Sequence, residues 1–275
     1  GGWRLAMAAA SFERGTGPAH GLACPTAQAR FDIAPAPLSD PDAILATAKS
    51  YVTDCTAELD ADALLAVANT DQAIRDSELF RQKIGSPKVW LYGESYGTQI
   101  VQAYATQFPT AVKGVIVDGV VDLTLSAKAF YRRYTLAAEQ LLAETFALCA
   151  TIPACHADIP GDAAQVYDDL AARVAAAPVT VPYILGDGST VQRQFTSGLL
   201  EANAFYALYS SEGRAEFLRT LAAAGRGNLI PMLQLGYSNM YIDPETEIGM
   251  EDPGWFGAAY YAITCTDYGS GSGTP

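Results

Sequence analysis

Two stretches of the chain are apolar without alternation. Residues 88–93 read Lys-Val-Trp-Leu-Tyr-Gly, and residues 114–121 read Gly-Val-Ile-Val-Asp-Gly-Val-Val. Strands of this kind are covered on both faces, as in a parallel sheet. Between them, from Thr98 to Phe108, the period becomes helical: Ile100, Tyr104 and Phe108 share one stripe, with Val101 beside it. Pro109 ends the run. Strand, helix and strand in that order predict a right-handed βαβ crossover. Upstream, the run from Arg4 to Phe12 leads into Glu13-Arg14-Gly15-Thr16-Gly17 and reads as a strand entering a tight turn. Residues 25–48, rich in Pro, Ala and Asp, read as a loop leading to a helix near 41–54. Residues 69–84 read as a helix capped by Asn69 or Thr70 and stopped by Gly85-Ser86-Pro87.

The pattern changes after residue 124. Helical periodicity dominates over 127–148, 162–176, 197–209 and 212–224. Val179–Ile184 and Thr190–Phe195 flank Gly186-Asp187-Gly188 and predict a hairpin. The expected organisation is an α/β core over 1–124, a mostly helical insertion over 125–262, and a return segment with a Gly/Ser-rich tail over 263–275.

Composition narrows the function classes. In 275 residues, 17 Lys and Arg stand against 30 Asp and Glu, a net charge of −13. Such a surface repels nucleic-acid phosphates and anionic lipid, so neither is an expected partner. No apolar run reaches the ~20 residues of a membrane span. Residues 1–11 could pass for a weak export signal, but a buried strand is the preferred reading. The cysteines are Cys24, Cys55, Cys149, Cys155 and Cys265, with no C-x-x-C pair and only His20 and His156 to assist a metal, so no metal or cofactor is expected. Cys149 and Cys155 flank Pro153, and Cys24 and Cys55 bracket a Pro-rich loop. Two disulfides in those pairs, and hence an exported or cell-envelope protein, are favoured over five reduced thiols.

The chemical signal is Gly93-Glu94-Ser95-Tyr96-Gly97, a G-x-S-x-G motif preceded by a strand and followed by a helix. A sharp strand-to-helix turn would project the Ser95 hydroxyl from the sheet edge, with glycine at both flanks because a side chain there would clash. The helix would aim its first N–H groups at a developing oxyanion, the Tyr96 N–H among them. Glu94 is either a buried carboxylate tied into this turn or a pocket residue.

The same stretch carries a resemblance. Leu91-Tyr92-Gly93-Glu94-Ser95-Tyr96-Gly97-Thr98 and Val115-Ile116-Val117-Asp118-Gly119-Val120-Val121-Asp122, with Arg14-Gly15-Thr16-Gly17 and the late Ala262-Ile263-Thr264-Cys265-Thr266-Asp267, resemble the tripeptidyl-aminopeptidase-like branch of the α/β-hydrolases, relatives of proline iminopeptidases. Phe12 stands where that branch usually has Asp. The resemblance implies a partial α/β-hydrolase parallel sheet with a large, mostly helical lid, and an exported serine hydrolase that releases short N-terminal peptides through an acyl-enzyme on Ser95.

Departures qualify it. No His-Gly-Gly-Pro-Gly-like loop precedes the motif, and no histidine follows His156, so the second oxyanion donor and the base and acid partners of Ser95 are not identifiable. The chain is therefore expected to be the middle of a larger hydrolase, with the remaining core strands and catalytic His supplied by a second chain or segment. In peptidases of this type carboxylates hold the substrate amine; the candidates are Glu201, Glu212, Glu245, Glu247 and Glu251. Tyr237, Tyr241, Trp255, Phe256, Tyr260 and Tyr261 would line an apolar substrate pocket or pack the lid on the core. The expected substrate is a peptide; a small ester on the same scaffold, or a catalytically silent binding protein, are the alternatives.

Overall fold

The computed structural model describes residues 15–17, 21–35, 40–59, 63–159 and 161–268. The expected strand over 4–12, the Phe12 and Arg14 positions, His20 and the tail over 269–275 lie outside the described residues. In chain order the elements are α1 (Pro25–Asp32), α2 (Pro41–Glu58), α3 (Thr70–Lys83), β1 (Val89–Glu94), α4 (Gly97–Gln107), β2 (Val112–Asp118), α5 (Ala127–Thr151), α6 (Pro153–Asp158), α7 (Ala163–Ala176), β3 (Val179–Ile184), β4 (Thr190–Phe195), α8 (Ser197–Ala207), α9 (Ser211–Gly225), α10 (Ile230–Asn239) and α11 (Gly257–Asp267).

The chain divides into two compact units. One takes residues 1–23, 61–130 and 253–275; the other takes 24–60 and 131–252. This differs from a boundary near 125 in placing 24–60 with the helical unit. The reason is local. α1 and α2 form an antiparallel pair clipped by the Cys24–Cys55 disulfide, and Ala29 of α1 joins the core of that unit.

In the first unit β1 and β2 pair in parallel, Leu91 with Val115 and Gly93 with Val117, and α4 connects them. α3 ends in a Schellman motif: Gly85, at φ 68°, donates to the Gln82 carbonyl and Ser86 to the Arg81 carbonyl. A small core joins Ile74 of α3 and Tyr104 of α4 to Val89, Leu91 and Val112. The Glu78 carboxylate accepts from Arg81 at 2.6 Å and from the Tyr104 hydroxyl at 2.6 Å, tying α3 to α4. The Arg81 hydrogen bonds, followed by that of Tyr104, hold Glu78 down to about 2, and burial pushes Tyr104 up to about 12.

The sheet does not have both faces buried, contrary to the expectation from its apolar runs. Trp90 is 67% exposed, Tyr92 60% and Ile116 55%. These side chains share one face, with the Trp90 ring lying over Gly114, where any Cβ would collide with it. α4 packs on the sheet, and among the described residues each strand has one neighbour. Among the described residues, two strands with a helix layer on one side leave Trp90, Tyr92 and Ile116 exposed on the opposite face and no further strand paired at either outer edge.

The second unit has a continuous core. Phe195, Leu199, Leu200, Phe217, Leu221, Met232 and Leu233 are fully enclosed. β3 and β4 form the expected antiparallel hairpin, Val179 opposite Phe195 and Ile184 opposite Thr190. The second disulfide joins Cys149 to Cys155 at the α5–α6 junction, and Cys265 is an exposed free thiol. Helices α1, α6, α10 and α11 add to those read from periodicity. No described helix is long and apolar enough to cross a membrane.

Candidate active site

Ser95 sits in the turn between β1 and α4 with φ 51°, a left-handed conformation that a residue with a Cβ rarely adopts. Such a residue costs about 1–3 kcal/mol and persists only where its surroundings over-determine it. Here they do. The Ser95 N–H extends the parallel ladder to the Asp118 carbonyl at 2.9 Å, while its carbonyl accepts from the Thr98 N–H at 3.0 Å and the Thr98 hydroxyl at 2.7 Å. Thr98 Oγ1 in turn accepts from the Val121 N–H at 2.9 Å, and Gln102 donates to the Thr98 and Val121 carbonyls. The segment after β2 is thereby tied to the turn. The Ser95 side chain is exposed and makes no hydrogen bond among the described residues.

The two glycines of the motif behave differently. At Gly93 a Cβ would stand 2.3 Å from the Gly97 carbonyl oxygen and 2.8 Å from a Val101 methyl, so no side chain fits. At Gly97 a Cβ would meet nothing within 4 Å. The expected clash at both flanks is therefore corrected: it holds at Gly93, where the strand crosses under the helix start, and fails at Gly97, which opens α4 with its Cβ direction free.

Tyr96 precedes α4 in helical conformation and caps nothing with its side chain. Its hydroxyl instead reaches Thr70 Oγ1 at 2.7 Å and Asp267 Oδ2 at 3.2 Å. The arrangement places an exposed hydroxyl at the C-terminal end of a parallel strand and at the N-terminus of an eleven-residue helix. Backbone N–H groups at such a helix start point at whatever negative charge stands beside them.

The other candidates separate. Glu94 is exposed rather than buried, because it lies on the open sheet face beside Trp90 and Tyr92; it accepts from the Tyr92 hydroxyl at 3.3 Å. In the first unit Trp255 stacks on Tyr260 at 4.9 Å and Phe256 covers Gly21. In the second unit Tyr237 is buried in the core, and the carbonyl of Tyr241, at φ 52°, accepts from the Met250 N–H beside the Ile242–Gly249 bridge. Glu212 lies in the first turn of α9, its carboxyl held low by backbone and Ser211 hydrogen bonds, a helix-end charge. Glu245 accepts from the Gly186 N–H at 3.0 Å, and Glu247 takes Arg193 at 2.8 Å and the Tyr237 hydroxyl at 2.6 Å; both brace the hairpin. Glu251 is exposed. Glu201 lines a cavity of about 420 Å³ with Tyr134, Leu142, Tyr167 and Phe205. Burial raises its carboxyl, and the Tyr167 hydroxyl donates to it at 3.2 Å. His156 is an exposed residue of α6 beside a second cavity of about 660 Å³. Sequence reasoning missed the group around Asp267, whose partners lie up to 197 positions away and leave no local pattern.

Residues 29–149 match the family model of the alpha/beta hydrolase fold, and the fold is a partial one of that class. The chain is 40% identical over 52 residues to YuaR of Escherichia coli (strain K12), which is named as a hydrolase; the match covers 19% of this chain and 10% of that protein. It is 36% identical over 74 residues to the serine protease Hip1 of Mycobacterium tuberculosis (strain H37Rv) and of Mycobacterium bovis, covering 27% of this chain and 14% of theirs. The chain thus matches about a tenth to a seventh of the length of these relatives.

Proposed function

We propose that the protein is a serine hydrolase that acts on peptides, with Ser95 as nucleophile. The observation that carries this reading is the strained, exposed Ser95 between a parallel strand and a helix start. In the proposed reaction Ser95 Oγ attacks the scissile carbonyl while a general base takes its proton. The oxyanion accepts from the Tyr96 N–H. Collapse of the tetrahedral intermediate releases the amine, which takes back the proton, and leaves an acyl-enzyme on Ser95; water then hydrolyses the ester.

The base is proposed to come from a segment or second chain outside the described residues. A preference for peptides over esters rests on the likeness to a serine protease and on the resemblance to tripeptidyl aminopeptidases. The two disulfides support an exported or cell-envelope location, where such bonds persist.

Hydrolysis of aminoacyl and tripeptidyl arylamides by the intact protein tests the reading. Turnover that is lost in Ser95→Ala, and lost again when the substrate amine is acetylated, supports an aminopeptidase. Short acyl esters cleaved far faster than any amide would replace it with an esterase. Folded protein inert to both classes would leave a binding protein.

A further inference from the structure

The Asp267 carboxylate, at the last residue of α11, is the acceptor at the centre of a polar group in the first unit. It takes the Thr70 N–H at 3.2 Å, the Thr70 hydroxyl at 2.5 Å, the Tyr96 hydroxyl at 3.2 Å and a Gln99 amide N–H at 3.3 Å. Gln99 also donates to Thr70 Oγ1 at 3.3 Å, and its amide oxygen accepts from the Tyr268 hydroxyl, which fixes which way the amide faces. Thr70 and Gln99 are buried. Thr70 is the first residue of α3, so its N–H is one of the orphan donors of a helix start, and an anion there also meets the positive end of the helix.

Charge logic gives the group one direction. A carboxylate only accepts, so Thr70 Oγ1 donates to Asp267, and the one Tyr96 hydroxyl proton is shared between Thr70 Oγ1 and Asp267 Oδ2. Three helices converge on it: α3 through Thr70, α4 through Gln99, and α11 through Asp267 itself. The fourth contributor, Tyr96, is the residue directly after Ser95. Its peptide N–H is the oxyanion donor of the proposed reaction, and the plane of that peptide is set by the strained Ser95 backbone. Tyr96 carries a stiff ring of two side-chain torsions, and its far end is pinned to Thr70 and Asp267. The ring is therefore a lever from the carboxylate to the peptide that must hold still during attack.

We infer that Asp267 is a positioning residue for the nucleophile turn, acting through the Tyr96 side chain to hold the Ser95–Tyr96 peptide in its oxyanion-binding orientation. This rests on Ser95 being the nucleophile. Asp267 touches no reacting atom; its effect is on geometry. Replacing it with Asn keeps the size but removes the charge on which the Thr70, Tyr96 and Gln99 side chains converge at Oδ2, and sets an NH2 against the Thr70 N–H that bonds Oδ1 at 3.2 Å.

The test is the second-order rate of Ser95 labelling by a fluorophosphonate, measured on the intact protein for wild type, Asp267→Asn, Tyr96→Phe and the double variant. Urea unfolding midpoints are read alongside. A misplacement on the order of 1 Å costs up to about 100-fold. The expected slowing is about 10- to 100-fold in Asp267→Asn and about 3- to 10-fold in Tyr96→Phe. The double variant should be no slower than Asp267→Asn, because the two residues act along one path. Hydrolysis should lose kcat with KM unchanged. A wild-type rate in Asp267→Asn, or effects that multiply in the double variant, overturns the inference while leaving the nucleophile in place. If Asp267→Asn does not fold, Tyr96→Phe decides alone: slowing at an unchanged midpoint supports the inference and a wild-type rate overturns it. An unreactive wild-type Ser95 defeats the proposed function and the inference with it, an outcome separate from the others.

Discussion

The two units solve the problem of burial differently. The helical unit encloses Phe195, Phe217, Leu221 and Met232 completely within a core built from six helices and a hairpin. Among the described residues, the unit that carries Ser95 has a small core around Ile74, Tyr104 and Ala111, and Trp90, Tyr92 and Ile116 are exposed on one face of its two paired strands. Yet this arrangement holds Ser95 at φ 51°, as the helical unit holds Tyr241 and Glu247 at positive φ. The contrast teaches that the serine turn does not depend on a large core. It is fixed by short-range constraints: the parallel ladder to Asp118, the Thr98 bridge to Val121, a glycine that admits no side chain, and the polar group around Asp267.

The largest expected effect strikes those constraints directly. Gly93→Ala forces a Cβ against the backbone at Gly97 and should lower Ser95 labelling by about 100-fold or more, as expected for a displaced nucleophile. Labelling near the wild-type rate would show that the turn tolerates what the geometry forbids.

The next effect breaks the comparison from the side of the core. Phe217→Ala should cost about 3–5 kcal/mol, the price of emptying an enclosed aromatic site. Ile116→Ala on the open face should stay within about 1 kcal/mol. Urea titration of both variants checks the ratio; equal costs would mean that the sheet face is covered in solution. The disulfides should rank by the loop they close. Replacing Cys24 and Cys55, 31 positions apart, should cost about 3–4 kcal/mol, and replacing Cys149 and Cys155, 6 apart, about 2 kcal/mol.

A pH dependence sharpens the picture of the helical unit. Burial pushes the Asp32 carboxyl up to about 7, opposed by a hydrogen bond from Gln28 at 2.8 Å. Its folded pKa is above its unfolded one, so folding is favoured while the acid is protonated. That contribution is complete below about pH 4 and is lost as pH rises toward 7. Asp32→Asn should therefore match wild type near pH 4 and exceed it above pH 7 by on the order of 4 kcal/mol. A constant difference between the two across this range would assign Asp32 an ordinary pKa. The smallest effect is Gly97→Ala, which enters open space at a helix start and should change stability by about 0.5–1 kcal/mol with labelling preserved.

Much of this was legible before any coordinates. The hairpin was readable because two six-residue runs flank Gly-Asp-Gly, and α3, β1, α4 and β2 because their periods and stop signals are local. α1 was not: Pro-Thr-Ala-Gln-Ala-Arg-Phe-Asp has no apolar stripe, and what holds it is the disulfide to α2 and Ala29 in a distant core. α10 and α11 were hidden by Pro231 and by evenly mixed apolar residues. In the site, Ser95, Tyr96 and Gly93 were visible as a motif, whereas Asp267 was not, because its bond to Tyr96 spans 171 positions. The apolar runs of β1 and β2 overstated burial, since a run reports what a strand is suited to touch and not what touches it.

The central claim is that the Ser95 hydroxyl is an activated nucleophile held on a strained strand-to-helix turn. Treatment of the intact, folded protein with a fluorophosphonate, followed by peptide mass mapping, tests it most directly. The account predicts one adduct, on the peptide containing Ser95, absent from Ser95→Ala. Folded protein that stays unmodified, or an adduct on another residue, would contradict it.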